Sequence, residues 1–209
     1  MKHMPAINEM NGAGAPRGLT RRALLRAGIG AAPALCLGQA LAHNMAGDVR
    51  PALPAPDIAV TLHTGRTTRV TELLRGRSTA LQLMFTGCSA ICPIQGALFA
   101  QVQEAMARSG PPIQLVSASI DPLGDDAKAL TAWLGRHGAG SRWLGLSPTV
   151  KALDPWLDFL AGRTTGADRH TAQVYLFDRQ ARLVLRTVDF PQPQEVARLL
   201  DRLAATRPT

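Results

Sequence analysis

The residues of this chain with the widest chemistry are two cysteines, Cys88 and Cys92, which stand four positions apart in the segment FTGCSAICP, residues 85–93. An apolar run precedes them and Pro93 follows, so a strand is expected to run into the pair and a helix to leave it. Thiols at such a junction lie near the positive end of the helix dipole, which favours the thiolate form. Thiolates bind soft metals and exchange disulfides, so the spacing predicts sulfur chemistry, copper chemistry or both.

The start of the chain has the pattern of an export leader. A basic stretch that contains Arg21 and Arg22 is followed by an uncharged segment rich in Ala, Gly and Leu, residues 27–42. Alanines at its end supply the small side chains that a signal peptidase reads, and the arginine pair is typical of twin-arginine export. The sequence therefore predicts a twin-arginine-type signal peptide over residues 1–42, cleavage near Ala42 and a periplasmic protein. An uncleaved anchoring helix is the alternative.

Cleavage at this position would leave Cys88 and Cys92 as the only cysteines, because the third, Cys36, lies in the leader. In an oxidising compartment such a pair is most often a structural disulfide. A disulfide across four residues closes a very small loop, however, and removes little entropy from the unfolded chain. A redox or metal-binding role is therefore favoured over a structural one.

Charge and composition give no indication of nucleic-acid binding. The formal net charge is +8, but residues 1–42 hold five basic residues and one acidic residue. Taking these from the totals of 23 basic and 15 acidic residues leaves 18 and 14, which is a mildly basic domain. With one tyrosine and no run of basic and aromatic residues, the chain lacks the signature of a nucleic-acid-binding protein. No segment is long and apolar enough to predict a membrane span.

Strands and helices alternate along the chain, which indicates an α/β fold with a mixed sheet. Residues 43–56 contain three prolines and are predicted to be an extended linker before a domain of residues 57–206. The cysteines fall at the C-terminal end of a central strand and the N-terminus of its helix, where open α/β sheets place their sites. Strands are predicted at residues 58–63, 80–85, 113–120, 143–146, 173–178 and 183–188, helices at 93–106, 125–137, 147–160 and 193–203, and a short apolar element at 70–74.

Four residue groups together resemble the SCO/SenC family, whose members are copper-binding thioredoxin-fold proteins that help to assemble the binuclear copper centre of cytochrome c oxidase. The resemblance covers about residues 55–204 and implies a thioredoxin-like three-layer sandwich with a central mixed sheet. The chain departs from the family pattern between the cysteines, where Ser89 replaces a common proline and Ala90 and Ile91 replace the usual acidic residue. The matching groups are FTGC with the following CP at residues 85–93, SIDP at 119–122, RHTA at 169–172 and YLFD at 175–178.

A third ligand would complete a trigonal copper site, and His170 is the candidate. It precedes a predicted strand, and a loop at that place can reach the same end of the sheet as the cysteines. Two thiolates suit Cu(I), and an imidazole helps to accept Cu(II), which prefers nitrogen. A closed structural zinc site would need one ligand more. The resemblance implies the same assignment, because His170 matches the family's histidine ligand. The predicted metal ligands are therefore Cys88, Cys92 and His170, which would bind one copper ion as Cu(I) or Cu(II).

The remaining histidines and large side chains have structural roles in this interpretation. Histidines near turns and helix ends are expected in solvent, and an aspartate at a strand end is expected to end the strand and cap a helix. His43 would chelate copper only if cleavage made it the new N-terminus. The residues concerned are His63 and His137 in solvent, Asp121 at the strand end, and Met84, Trp133, Trp143 and Trp156 in the core.

Three functions remain open from the sequence. The first is a periplasmic copper metallochaperone, in which the reduced cysteines and His170 hold copper and pass it on by ligand exchange. The resemblance implies cytochrome c oxidase subunit II or another copper acceptor as its partner, and the dithiol implies a periplasmic thioredoxin-like reductant.

The second function is a thiol-disulfide oxidoreductase that acts on the cysteines of the copper acceptor, with Cys88 and Cys92 as its redox-active pair. Typical oxidoreductases separate their cysteines by two residues and place a proline before the next strand. Thr171 and Ala172 stand there in this chain. The third function, a thiol peroxidase, is disfavoured by the histidine and by the nearby second cysteine. Whether the protein is an enzyme is therefore left open by the sequence.

Overall fold

The computed structural model describes residues 46–106, 110, 112–164 and 169–206. The predicted leader, His43 and the predicted cleavage position lie outside them. None of the described helices has the length and apolarity needed to cross a bilayer. The described strands are β1 (Gly47–Pro54), β2 (Ala59–Leu62), β3 (Thr67–Arg69), β4 (Ser78–Met84), β5 (Ile113–Ser119), β6 (Trp143–Pro148), β7 (Val174–Phe177) and β8 (Arg182–Arg186), and the helices are α1 (Val70–Leu74), α2 (Ile91–Ala105), α3 (Ala127–Arg136), α4 (Val150–Leu160) and α5 (Pro193–Ala205).

The strands form one mixed sheet in the order β1-β8-β7-β4-β5-β6-β2-β3. Its centre, β4, β5 and β6, is parallel, whereas β7 pairs antiparallel with β4 and β2 pairs antiparallel with β6. Every residue of β4 and of β5 is buried, as expected for central strands that are covered on both faces. The α/β class and the mixed sheet predicted from the sequence are confirmed.

Helices cover both faces of the sheet, so the domain has three layers. Successive side chains of a strand point to opposite faces, and β4 therefore supplies Leu83 to one core and Met84 to the other. The core prediction for Met84 and the three tryptophans is confirmed. The first core includes Leu81, Leu83, Trp156, Leu160, Tyr175 and Phe177, and the second includes Ala80, Met84, Phe99, Val102, Trp133 and Trp143.

The sheet has two distinct edges, defined by the direction of the parallel strands. We call the edge at the last residues of β4, β5 and β6 the carboxyl edge, and the edge at their first residues the amino edge. Strand β4 leads into α2, β5 into α3 and β6 into α4, so these helices begin at the carboxyl edge. Strand β8 is antiparallel to β7 and hence parallel to β4, so α5 begins there too.

The segment predicted to be an extended linker, residues 43–56, is corrected by the structure. Residues 47–54 form strand β1, which pairs antiparallel with β8 at the margin of the sheet. A marginal strand has a neighbour on one side only, so it tolerates prolines, which lack an N–H. The pairing register also shifts between Asp48 and Leu53. Proline content thus signalled a marginal strand rather than a linker.

Two helices begin later than the sequence predicts. Ser147 and Pro148 belong to β6, where they pair with β2, and α4 begins only at Val150. Helix α3 begins at residue 127 rather than 125, because Asp126 is its N-cap. The Asp126 carboxyl group accepts the N–H of Ala129 at 2.7 Å. Both differences arise because Ser, Pro and Asp are common at helix starts but also fit the segment before the helix. Here Ser147 and Pro148 end a strand, and Asp126 caps the helix from outside it.

Candidate metal centre

The two cysteines lie at the carboxyl edge, where β4 gives way to α2. Strand β4 ends at Met84 and α2 begins at Ile91, so Cys88 lies in the connecting segment and Cys92 in the first helical turn. The N-cap residue, Ala90, has no side-chain acceptor, and the sulfur of Cys88 accepts the N–H of Cys92 at 3.4 Å. This sulfur therefore takes the place of a side-chain cap at the helix N-terminus.

The two thiols are both free, but they differ in burial and in pKa. Cys92 is fully buried, and burial, together with donation of its hydrogen to Cys88, raises the pKa of its thiol to about 12. Cys88 is half-buried. Desolvation acts to raise its pKa, but hydrogen bonds from the Cys92 thiol and from backbone N–H groups at the helix start outweigh desolvation, so the pKa is lowered. Cys88 is thus the more nucleophilic sulfur. The lowering of a thiol pKa that is expected at a helix N-terminus is found for Cys88 and not for Cys92.

His170 reaches the carboxyl edge from the segment before β7. The N–H of Thr171 donates to the carbonyl of Gly162 at 2.9 Å, and the N–H of Ala172 donates to the Asp189 carboxyl group at 2.9 Å. These bonds fix the backbone directly after His170. The imidazole is 1% exposed and is held inside the protein. Its Nε2 lies 3.8 Å from Cys92 Sγ, so the structure brings the loop histidine to one of the two cysteines.

The imidazole of His170 presents one defined nitrogen to Cys92. Its Nδ1 lies 2.9 Å from the carbonyl oxygen of Thr171, which can only accept, so Nδ1 carries the hydrogen and donates it. In the neutral ring Nε2 then keeps its lone pair, and it lies 3.8 Å from Cys92 Sγ. A backbone carbonyl that fixes the tautomer in this way is typical of histidines that bind metals.

The distance between these two donors fits a shared metal ion. With bonds of about 2.3 Å from sulfur and about 2.0 Å from nitrogen, two ligands of a trigonal ion lie about 3.7 Å apart. The Sγ of Cys92 and Nε2 of His170 are 3.8 Å apart. No group of three or more His, Cys, Asp or Glu side chains in the described ranges has the arrangement of a complete metal site. Two donors are thus at bonding separation, and the third donor, the sulfur of Cys88, is hydrogen-bonded to Cys92.

Aromatic and cationic groups pack beside the imidazole. The ring of Phe85 meets the His170 ring edge-on, with centroids 6.4 Å apart and planes at 87°. The guanidinium carbon of Arg169 lies 5.3 Å from the centroid of the Phe85 ring, which is a cation–π contact. One face of the candidate centre is therefore apolar and bounded by a positive charge.

Asp125 also belongs to the site, although the sequence predicts only that a helix begins at this residue. It lies before α3, is buried and accepts both the N–H and the hydroxyl hydrogen of Thr86, two residues before Cys88. The signal that could have found it is the pair Asp125 and Asp126 at a helix start. One carboxyl group suffices to cap a helix, so the other is available for a second role.

The other predicted polar residues have structural contacts. The Nδ1 of His63 accepts the N–H of Gly145 at 3.2 Å. The expectation that His63 and His137 lie in solvent is wrong for both, because each is half-buried. The ring of His137 lies 4.6 Å from the Trp133 ring and faces Gly96 of α2. Burial, and then the charge of the neighbouring arginine, lowers its pKa. The reason is that the end of α3 packs on α2 at a glycine, which leaves room for an imidazole.

Asp121 has the terminating role that the sequence predicts, but it caps a turn rather than a helix. Its Oδ1 accepts the N–H of Gly124 at 3.2 Å, and its backbone carbonyl accepts the N–H of Asp125 at 2.9 Å. These contacts close the turn after β5 and involve neither cysteine.

The surface at the carboxyl edge includes exposed apolar side chains. Ile94, two residues after Cys92, is 57% exposed, and the exposed Phe190 donates its N–H to the carbonyl of Ala172 in the His170 segment. Apolar side chains exposed near a reactive group are typical of a surface that contacts another protein. Within the described residues, the five large apolar side chains that are exposed all follow strand ends at this edge: Ile94, Leu123, Val150, Val188 and Phe190.

A free dithiol at a strand-to-helix junction, on a three-layer α/β sandwich, defines a protein of the thioredoxin-like class. The sequence model of the SCO1/SenC family matches residues 56–205. This match spans most of the chain, so the chain belongs to the SCO1/SenC family. The family resemblance seen in the sequence is thereby confirmed. No functionally curated protein matches the chain.

Solved structures agree with this fold. A SCO1/SenC family lipoprotein from Bacillus anthracis is 22% identical with a TM-score of 0.65, covering 75% of this chain and 99% of that one. Copper-bound ScoI from Bradyrhizobium japonicum is 23% identical with a TM-score of 0.60, covering 72% and 99%. BsSco, described as having a disulfide switch and as a member of the Sco family of cytochrome c oxidase assembly proteins, is 16% identical with a TM-score of 0.65, covering 75% and 96%.

Proposed function

We propose that this protein is a periplasmic copper chaperone that binds one copper ion through Cys88, Cys92 and His170 and delivers it to the copper centre of cytochrome c oxidase. The observation that carries the proposal is the 3.8 Å separation of Cys92 Sγ and His170 Nε2, with Nδ1 engaged by a backbone carbonyl. Disulfide exchange needs no such imidazole, whereas a ring with Nδ1 held by a carbonyl and Nε2 free to bind is typical of histidines that bind metals. Copper in a related solved structure and the oxidase-assembly role stated for another support the same assignment.

Loading would follow from the different states of the two thiols. Both sulfurs must be deprotonated to bind copper, which as a soft, positively charged ion stabilises the two thiolates. Cys88 has the lowered pKa and the greater exposure, so it meets the incoming ion first. Cys92 then loses its proton to solvent, and His170 contributes the lone pair on Nε2. Cys88 moves with its short connecting segment to close the set.

Delivery would use the apolar surface of the carboxyl edge. Ligand exchange requires donor atoms of the acceptor to reach the copper-bearing sulfurs, so the acceptor must contact this edge. We assign this contact to the copper-binding domain of an oxidase subunit II. A thioredoxin-like reductant would dock in the same place to keep Cys88 and Cys92 reduced. Export by the predicted leader would bring the protein to these partners.

An anaerobic titration of reduced protein with Cu(I), in competition with a chromophoric Cu(I) chelator, tests the proposal. Wild-type protein is expected to bind one ion. The change His170→Ala should weaken binding about 10- to 100-fold, because it removes the only nitrogen ligand. The matched control is His63→Ala, which removes a histidine whose contact is to Gly145. It should leave copper affinity unchanged.

Two results would contradict the metal site. Wild-type protein that competes no better than a Cys88→Ser, Cys92→Ser double variant does not bind copper at this dithiol. If His170→Ala retains wild-type affinity while the cysteines are required, the site is a dithiol without the imidazole.

The second candidate function is thiol-disulfide exchange with the copper acceptor, and the unequal thiols favour it. A half-exposed thiol with a lowered pKa can attack a substrate disulfide, and a buried second thiol can then resolve the mixed disulfide. Each turnover would convert Cys88 and Cys92 to a disulfide and the substrate disulfide to two thiols. Rapid turnover of a disulfide peptide, with no dependence on copper and no effect of His170→Ala, would favour this function over the first.

A further inference from the structure

The side chain of Asp125 serves the cysteine segment. Its two carboxyl oxygens each lie 3.1 Å from the backbone nitrogen of Thr86, and one of them accepts the Thr86 hydroxyl hydrogen at 2.5 Å. The other accepts the hydroxyl hydrogen of Ser119, the last residue of β5, at 2.6 Å. Three donors from two different strand ends thus converge on one carboxyl group that is 3% exposed.

The local structure around Asp125 does not need this side chain. The turn after β5 is closed by Asp121, whose carboxyl group and backbone carbonyl accept N–H groups from Gly124 and Asp125. The start of α3 is capped by Asp126. Burying a polar group costs free energy unless it is hydrogen-bonded, and here all the donors to the Asp125 carboxyl group are hydroxyl or backbone groups of Thr86 and Ser119. The Asp125 carboxyl group therefore acts on the segment that contains Thr86.

That segment carries Cys88 and has few other anchors. Thr86 stands two residues before the cysteine, and Gly87 between them has wide backbone freedom. The N–H of Cys88 donates to the carbonyl of Phe85 at a long 3.2 Å, and Ala90 provides no side-chain cap. The placement of the Cys88 sulfur thus depends on where Thr86 is held.

We propose that Asp125 is a positioning residue that, by holding Thr86, keeps the sulfur of Cys88 beside Cys92 and ready to close on a copper ion. The inference rests on the proposed copper site, but Asp125 acts through Thr86 and is not itself a ligand. It ties the end of β4 to the end of β5, so the reactive loop is held by two central strands in which every residue is buried.

The change Asp125→Asn tests this role at almost constant volume. An amide has only one oxygen acceptor and places an NH₂ group against the remaining donors, so the clamp on Thr86 is broken in part. We expect Cu(I) affinity to fall at least tenfold and alkylation of Cys88 by iodoacetamide at pH 7 to slow at least threefold. The sulfur-to-copper charge-transfer band of the Cu(II) form should shift in wavelength, which a loss of stability alone would not cause.

The matched control is Asp126→Asn, one residue along the chain. Asparagine caps helices about as well as aspartate, so this variant removes a neighbouring charge without removing a cap. It should show wild-type copper affinity, wild-type Cys88 reactivity and an unshifted band. A control that behaves like Asp125→Asn would overturn the positioning role. After burial and the hydrogen bond to Cys88, the Asp125 charge also acts to raise the pKa of Cys92, so Thr86→Val, which keeps that charge, separates positioning from charge.

A folded Asp125→Asn protein with wild-type copper affinity and wild-type Cys88 alkylation overturns the proposal. Thr86→Val removes only the hydroxyl contact and should change both quantities in the same direction but less. If Asp125→Asn does not fold, unchanged affinity and alkylation in Thr86→Val overturn the proposal instead. If wild-type protein binds no copper, the proposed function fails, whereas the Cys88 alkylation rates still decide whether Asp125 positions the loop.

Discussion

The two edges of the sheet differ in what their connecting segments carry. The carboxyl edge holds Cys88, Cys92, His170 and the exposed apolar side chains. The amino edge holds basic residues in the turns before and between strands or at the start of a strand: Arg66, Arg77, Arg142, Arg179 and Arg182. The thiols and the candidate imidazole thus lie at the carboxyl edge together with the guanidinium group of Arg169, whereas five arginines lie at the amino edge.

Helix direction explains this division. The helices that follow the parallel strands begin at the carboxyl edge, where their free N–H groups and positive dipole ends favour a thiolate. Helices α2 and α3 end at the amino edge, where free carbonyls favour cations, whereas the last carbonyls of α4 accept hydrogen bonds from Arg186 at the end of β8. Arg142 there donates to the carbonyl of Met106, the C-cap of α2, at 2.9 Å. Arg136 lies in the last turn of α3. The same backbone physics therefore supports reactive sulfur at one edge and structural arginine at the other.

The largest effect expected from this contrast is a difference in reactivity between the two cysteines within the carboxyl edge. At pH 8 a thiol with a pKa of about 12, as for Cys92, is about 10⁻⁴ ionised. Cys88 has a lowered pKa and greater exposure. Iodoacetamide should therefore modify Cys88 first, about 1,000-fold faster, as measured by quenched labelling and peptide mass spectrometry.

Labelling in concentrated urea is the control for this prediction, because unfolding removes both burial and the helix N-terminus. The two cysteines should then react at similar rates. Equal rates in the native protein would show that the carboxyl edge does not distinguish the two sulfurs.

The next effect is a dependence of copper affinity on pH. The pKa of Cys92 is raised to about 12, so at neutral pH this thiol keeps its proton until copper displaces it. Lower proton concentration favours that displacement, and the apparent Cu(I) affinity should rise about tenfold per pH unit for each proton released. Between pH 6 and 8 this amounts to about 100-fold for the Cys92 proton, measured by chelator competition corrected for the chelator's own titration.

An affinity that stays constant over this range would contradict the protonated state of Cys92. The variant Arg66→Ala provides the comparison with the amino edge. It removes a cation far from the sulfurs along the strand direction, and its pH profile should match that of the wild-type protein.

Much of the carboxyl edge could be predicted from the sequence, because its placement depends on topology. A strand that leads into Cys88 and a helix that leaves Cys92 must put both at one end of the sheet. A histidine before β7, which is antiparallel to β4, is brought to the same end. Hydrophobic periodicity and turn residues are local signals, and they are sufficient to predict at which end of the sheet these residues lie.

Other features depend on tertiary contacts that have no local signal. Burial separates the pKa values of Cys88 and Cys92, although both lie at the same helix start. Asp125 and Asp126 are identical in type, and only packing decides which caps α3 and which holds Thr86. Strand β1 is stabilised by its partner β8, so its prolines suggest a linker when they are read alone.

The smallest expected effect concerns stability toward the amino edge. A methyl group on Gly96 would overlap the ring of His137, so Gly96→Ala should destabilise the protein by about 1–3 kcal/mol in urea unfolding. In a His137→Ala background the overlap is gone, and the same change should become stabilising by up to about 1 kcal/mol, since alanine favours a helix over glycine. Copper affinity should stay at the wild-type value in all three variants, because the atoms that the new methyl group would meet belong to His137 and not to Cys88, Cys92 or His170. If Gly96→Ala changes the free energy of unfolding with the same sign in both backgrounds, His137 is not packed against α2. A loss of copper affinity in any of these variants would show that the two edges are coupled.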